Sequence, residues 1–113
     1  MNLKTELMQF SGTEHYYAHN FGGMTYTDGV KYFADKVGAY WFLDIVSTEL
    51  MLPADKEGFI SIHLVSADSK AVAKADDGNY NVFWTRKIEY TDCPAGDWQF
   101  YLTNRVLMLP SEY

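Results

Sequence analysis

Two histidines have the spacing of a metal-binding pair. His15 and His19 are four residues apart, which would place both imidazoles on one side of a helix, as in many zinc sites. The glutamate that a metalloprotease motif needs between them is missing, and the surrounding stretch is aromatic and interrupted by glycines. Because such a stretch has weak helical character, we predict no metal site here.

The acidic residues offer two further candidates. Asp44 lies within the apolar run 39–46, where a buried, unpaired carboxyl group would have a raised pKa. An acid turned toward the rim of a helix, or one bonded to a tyrosine or tryptophan, explains Asp44 more simply. Glu89, Asp92 and Asp97 flank a turn-rich loop, but their spacing matches no calcium loop. We therefore predict a protein that is not an enzyme and needs no cofactor.

Length and charge narrow the class of protein. A chain of 113 residues has the size of one domain, and we predict a single domain over residues 1–113. The net charge is −6, and the nine lysines and arginines are scattered along the chain. Because nucleic-acid binding needs clustered basic residues, we do not expect a nucleic-acid partner.

The single cysteine and the N-terminal sequence bear on location. Cys93 has no second cysteine to pair with, which fits a reducing compartment. Residues 1–7 lack the apolar core of a secretion signal, and no apolar run approaches the length of a membrane span. We predict a cytoplasmic protein without a membrane partner.

The first half of the chain has helical periodicity. Apolar residues suggest a short amphipathic helix over about 2–9. Residues 11–26 are interpreted as a connection that packs through its aromatic residues, with a short strand suggested near 24–26. Thr27 has the position of an N-cap, and a helical face extends over about 28–50 with Gly38 inside it, either as a kink or as a boundary between two helices. Pro53 is expected to end this stretch.

The second half alternates between apolar and polar residues, as strands do. Strands are predicted at about 59–65, 71–75, 80–90, 98–103 and 106–109. In the third of these, Tyr80, Val82, Trp84, Ile88 and Tyr90 are expected to share one face. Helices followed by a run of strands favour an α+β fold of two layers, with the helices packed on one face of an antiparallel meander of four to five strands.

Several segments together resemble a known family. They are the stretch from Tyr26 to Tyr32 leading into Gly38-Ala39-Tyr40-Trp41, the turn Asp77-Gly78-Asn79, the segment Ile88 to Asp92, and the ending Leu109 to Tyr113. The chain is similar along nearly its whole length to domain-of-unknown-function family 6876, a group of small bacterial proteins associated with phages, plasmids and integrated elements. The resemblance implies an accessory protein of a mobile element and brings no known activity.

An aromatic content of 17% exceeds what one small core needs. We therefore expect the surplus rings to form a patch that binds a host protein or a protein of the element, in the manner of an inhibitor of a host defence protein. The candidate contacts are aromatic and acidic, the acids serving to steer a basic partner. They are Trp84, Trp98, Tyr101, Asp92, Asp97 and Glu112.

Two other functions remain open from the sequence. One is a small-molecule-binding domain or enzyme with a pocket between the helices and the sheet, which would use Tyr40, Trp41 and Asp44 or the His15/His19 pair. The other is self-association, for example as a homodimer, through an exposed sheet edge.

Overall fold

A computed structural model describes residues 3–11, 15–19 and 23–113 of the chain. Four helices lie in this part of the protein: α1 (Leu3–Leu7), α2 (Asp28–Val37), α3 (Tyr40–Glu49) and α4 (Met51–Glu57). Seven strands accompany them: β1 (Tyr16–Ala18), β2 (Thr25–Thr27), β3 (Phe59–Ala67), β4 (Lys70–Asp76), β5 (Val82–Ile88), β6 (Gly96–Thr103) and β7 (Val106–Met108). A 3₁₀ turn spans Pro110–Glu112.

The sheet is larger than the sequence predicted and is mixed. Its order is β1-β2-β7-β6-β3-β4-β5, and β2 runs parallel to β7 while the other neighbours are antiparallel. The α+β class is confirmed, but the expected antiparallel meander of four to five strands is wrong. Strands β3 to β7 are antiparallel neighbours but not a meander, because β6 pairs with β3 instead of β5. The sheet is extended by β1 and β2, which come from the stretch interpreted as a connection, and β2 confirms the short strand suggested there.

Local signals place the helix boundaries in the first half. The Oγ1 atom of Thr27 accepts a hydrogen bond from the backbone N–H of Val30 at 3.4 Å, which confirms the predicted N-cap. Gly38 has a φ of +64° and its N–H donates to the carbonyl of Ala34, so it ends α2 rather than kinking one long helix.

Pro53 does not end the helical stretch, contrary to expectation. It lies in the first turn of α4, which spans Met51–Glu57. Backbone N–H groups in the first turn have no partner within the helix, so a proline is tolerated there. Gly58, with a φ of +80°, ends α4 instead.

The helices and the sheet form two layers around a core of aliphatic and aromatic side chains. The inner face of the sheet, which faces the helices, carries the buried Ile60, Ile62 and Leu64 of β3 and the buried Trp98, Phe100 and Leu102 of β6. Rings from α2 and α3 meet this face. The ring centroids of Phe33 and Phe100 are 5.1 Å apart, and those of Phe42 and Phe100 are 5.0 Å apart.

A bulge changes the orientation of residues at the start of β5. Trp84 pairs with Ala75, but Val82 pairs with Asp76, so Phe83 is an extra residue in the ladder. Trp84 and Ile88 therefore share one face, as expected, and this inner face also carries Arg86, whereas Val82 does not lie on it. Tyr80 has a φ of +65° and precedes the strand, so the predicted common face from Tyr80 to Tyr90 is wrong.

The C-terminal segment is docked against the start of α2 through Glu112. Its carboxylate accepts hydrogen bonds from Thr27 Oγ1 at 2.6 Å, from the N–H of Leu109 at 3.0 Å and from the N–H of Gly29 at 3.1 Å. A Cβ atom on Gly29 would lie 2.5 Å from Leu109 Cδ1, so the segment packs directly on the glycine. Glu112, predicted as a partner contact, thus makes internal contacts.

We expect Glu112→Ala to lower the free energy of unfolding by about 1–3 kcal/mol, because two backbone N–H groups and one hydroxyl lose a charged acceptor. Urea titration followed by tryptophan fluorescence measures the change. Ser111→Ala, at the exposed neighbouring residue, is the matched control. Equal unfolding midpoints for the two variants would show that the carboxylate does not hold the segment.

Candidate functional site

The three rings predicted to form a binding patch lie in different places. Trp98 is only 4% exposed and belongs to the core. Trp84 is half-buried on the inner face, where its Nε1 donates to Glu49 at 3.3 Å. Tyr101 lies on the opposite, outer face of the sheet against the ring of Phe59. Because these side chains are on different faces, they do not form one continuous surface.

The acidic candidates are also dispersed. Asp92 is exposed and accepts a hydrogen bond from the hydroxyl of Tyr90 at 2.9 Å. Asp97 lies on the outer face, where its carboxylate is 2.9 Å from His63 Nδ1. With Glu112 engaged at the start of α2, the three acids do not line one rim.

The residues of the alternative pocket lie on the helical layer. Trp41 is half-buried, and the hydroxyl of Tyr40 donates to the carboxylate of Asp35. Desolvation and this bond raise the pKa of Tyr40 above its usual range. The side chain of Asp44 is 53% exposed. Asp44 is therefore an acid turned toward the rim of its helix and not a buried carboxyl group. The buried Phe42 and Leu43, rather than these three residues, face the sheet.

The two N-terminal histidines do not converge. His15 Nδ1 lies 3.7 Å from Asp28, whereas His19 Nε2 lies 2.9 Å from Asp44. Strand β1 runs between the histidines, so the helical spacing that would align them does not apply. Within the described residues, no group of three or more His, Cys, Asp or Glu side chains could hold a metal ion.

A serine, a histidine and an aspartate meet on the outer face in a way that the sequence analysis missed. Ser61 Oγ lies 3.5 Å from His63 Nε2, and His63 Nδ1 lies 2.9 Å from Asp97 Oδ1. These atoms follow the order of a serine hydrolase triad. The signal in the sequence was the i, i+2 spacing of Ser61 and His63 on one strand, but Asp97 comes from a neighbouring strand.

The surroundings of this trio favour a structural role. Ser61 is only 4% exposed, and Gln99 Nε2 donates to its hydroxyl at 3.1 Å. A second carboxylate, on Asp76, lies 3.9 Å from the same His63 nitrogen that would act as the base. A nucleophile must reach its substrate. A covered hydroxyl therefore makes a network between strands rather than a reactive centre.

One surface groove lies beside α1. It has a volume of about 340 Å³ and runs along strand β6 between α1 and the C-terminal segment, next to Leu7 and Trp98. The ammonium group of Lys4 lies 4.7 Å from the ring centroid of Trp98 and donates to the backbone carbonyl of Asp97. Lys4 thus already occupies the edge of β6 at this groove.

A second groove adjoins the end of the sheet. It has a volume of about 390 Å³ and is lined by Leu52, Pro53, Lys56, Glu57 and Phe83. Two apolar residues that line it are exposed, Leu52 by 80% and Phe83 by 43%, and Val82, next to Phe83 in the chain, is exposed by 53%. We call this groove together with strand β5 the β5 edge.

Strand β5 has only one neighbour in the sheet. It pairs with β4 over Val82–Ile88 and is the last strand in the sheet order within the described part of the chain. Its other side therefore presents backbone N–H and C=O groups without a strand to bind them. Of the surfaces described above, only the β5 edge combines a seven-residue strand that lacks a neighbour on one side with an adjacent apolar groove.

The covered position of Ser61 predicts that the trio is unreactive. We expect a fluorophosphonate probe, which labels activated serines, to leave the folded protein unmodified. Intact-mass spectrometry reads the result, and Ser61→Ala identifies the residue if an adduct forms. Labelling that depends on Ser61 would contradict the structural role.

Cys93 is buried, and burial raises the pKa of its thiol to about 11. Because the thiolate is the reactive form, we expect iodoacetamide near neutral pH to modify the folded protein far more slowly than the urea-unfolded protein. Peptide mass spectrometry measures both rates. Comparable rates would show that the thiol is accessible in the native state.

Of the comparisons with known proteins, only the one with protein families found a match. A search of curated proteins found no match, and a search of solved structures found none. Among the described residues, no helix has the length and apolar character needed to cross a membrane. A model of one protein family matches the chain over residues 1–113. The chain therefore belongs to the family of unknown function DUF6876.

Proposed function

We propose that this protein is a non-enzymatic binding module that recognises another protein through the β5 edge. The observation that carries the proposal is the end strand Val82–Ile88, which has no neighbour on one side in the described chain and begins beside an exposed apolar groove. An unpaired strand provides main-chain hydrogen bonds, and the groove provides an apolar contact. These are the two components of binding by strand addition.

The exposed apolar residues at the start of β5 and at the adjacent groove strengthen the proposal. Val82 and Phe83 begin the strand, and Leu52 faces Phe83 across the groove. The exposed rings of Tyr80 and Tyr90 flank the two ends of β5 in the sequence. Large exposed apolar side chains that cluster mark interaction sites more often than scattered ones do.

The wider role that we propose follows from the family resemblance. We infer an accessory protein of a phage or another mobile element that acts in the bacterial cytoplasm. There it would bind a host protein or a protein of the element, and a defence protein of the host is the target we favour. A binding module can inhibit such a target without chemistry, by covering the surface that the target needs.

Self-association is the competing function, because a free strand edge can also pair with a second copy of the chain. It differs from the proposed function in a measurable way. A homodimer formed through β5 would give an apparent mass by light scattering that rises with protein concentration, whereas a module for another protein would stay monomeric.

A photocrosslinking experiment tests the proposed function. We expect a benzophenone amino acid at Thr85 to give a discrete adduct with a second protein in bacterial cells, and the same group at Lys36 on α2 to give none. Both residues are exposed. Helix α2, however, lies against β1, β2 and β7, which are at the end of the sheet away from β5. Mass spectrometry identifies the adduct.

A second variant links the adduct to the groove. Leu52→Asp changes an exposed side chain, so the fold should persist while the apolar contact is lost. We expect it to reduce the adduct from residue 85 strongly. An adduct of the chain with itself, no adduct at all, or equal adducts from both labelled positions would overturn the proposed function.

A further inference from the structure

We propose that the partner contributes an extended, acidic segment that joins the sheet as an additional strand beside β5. This inference rests on the proposed function and names the chemistry of the partner. Two independent features lead to it: the direction in which the backbone groups of β5 point, and the charge of the sheet face next to that strand.

The direction of the backbone groups follows from the β3–β4 turn. Asp68 and Ser69 have φ values of +53° and +64°, and they join the paired residues Ala67 and Lys70. A two-residue turn of this kind is closed by a hydrogen-bonded pair, so the backbone groups of Lys70 point toward β3. The groups of the next residue, Ala71, point the other way, toward β5.

The same alternation continues into β5. Ala71, Ala73 and Ala75 of β4 pair with Ile88, Arg86 and Trp84 of β5. Because the groups of these β5 residues point inward to β4, the N–H and C=O groups of Thr85 and Lys87 point outward. An added strand could therefore form hydrogen bonds with Thr85 and Lys87, and the hydrogen bonds between β4 and β5 would not change.

The outer face beside this edge is basic. Lys70 and Lys74 lie on the outer face of β4, and Lys87 lies on the outer face of β5 opposite Val72. All three lysines are exposed, and none forms an ion pair within the described residues. The protein as a whole has a net charge of −6, so this strip of three lysines is a positively charged region on a negatively charged protein.

The acids near the strip limit its length. Asp76 is the next outward residue on β4, but it is only 6% exposed, and Asp97 lies two strands away on β6. Asp77 precedes β5, Glu89 follows it, and the exposed Asp68 lies in the turn before Lys70. The positive field is therefore strongest beside the middle of β5, where an added strand would place its carboxylates.

The charge also favours a partner over a second copy of the chain. Antiparallel pairing of two β5 strands would bring both sets of three lysines onto one face, where like charges repel. The opposite face of β5 carries the half-buried Trp84 and Ile88, and Arg86 between them is bound to Glu49. An added strand that alternates acidic and apolar residues would place acids beside the lysines and apolar side chains beside Trp84 and Ile88.

Synthetic peptides test the inference. The probe is a short fluorescein-labelled peptide of alternating glutamate and valine, and its matched control replaces each glutamate with lysine. Fluorescence polarisation measures binding. We expect the acidic peptide to bind about tenfold more tightly than the basic one at low salt, with the difference shrinking as salt increases.

Variants of the protein assign the binding to β5. We expect the triple variant Lys70→Gln, Lys74→Gln and Lys87→Gln to weaken binding of the acidic peptide about tenfold, while Lys36→Gln on α2 leaves it unchanged. Thr85→Pro removes one outward N–H and should weaken binding as well. If Thr85→Pro fails to fold, the acidic peptide methylated on alternate backbone nitrogens tests the same hydrogen bonds with the natural protein.

The outcomes separate this inference from the proposed function. Weaker binding of both the triple variant and the methylated peptide supports it. Equal binding of acidic and basic peptides, binding that methylation does not change, or no peptide binding would overturn it. If the adduct from residue 85 persists under those results, the protein-binding function stands and only the acidic, strand-forming partner is wrong.

Discussion

The packing of aromatic rings between the two layers is the interaction on which the rest of the structure depends. Phe33 and Phe42 of the helices contact Phe100 at the centre of the inner face, and all three are almost completely buried. Burying such rings contributes a large part of the stabilisation available to a chain of this size. Since the helices must cover β3 and β6 for this contact to form, the β5 strand is left toward the margin of the covered area.

The polar network on the outer face and the contacts of the C-terminal segment complete this arrangement. Ser61 and His63 connect β3 to β6 through Gln99 and Asp97. At the end of the sheet away from β5, Glu112 joins the C-terminal segment to the start of α2. Both sets of contacts satisfy polar groups near the core. Together they give structural roles to the triad-like trio and to Glu112, which was expected to contact a partner.

Much of the fold could be predicted because its signals are local. The N-cap at Thr27, the boundary at Gly38 and the alternation along β3 and β6 each depend on a few neighbouring residues. Strand β1 has three residues and β2 pairs in parallel with β7, which is about eighty positions away in the chain, so neither placement has a local signal. The candidate site was harder to predict because it, too, depends on residues that are far apart in the sequence. Whether β5 is an end strand depends on the order of the whole sheet, and the bulge at Phe83 reverses the side on which Val82 lies.

The contact between β2 and β7, together with the attachment of Glu112 beside Gly29, also has a consequence for biosynthesis. Strand β7 and Glu112 are synthesised about eighty residues after β2 and the start of α2, so this part of the molecule cannot assemble until the later segment has left the ribosome. The β3–β4–β5 portion, by contrast, consists of sequential antiparallel neighbours and can pair during elongation. Until β6 follows, the ring contacts of Phe33 and Phe42 with Phe100 cannot form, and chaperones have their best access to these apolar side chains during that time.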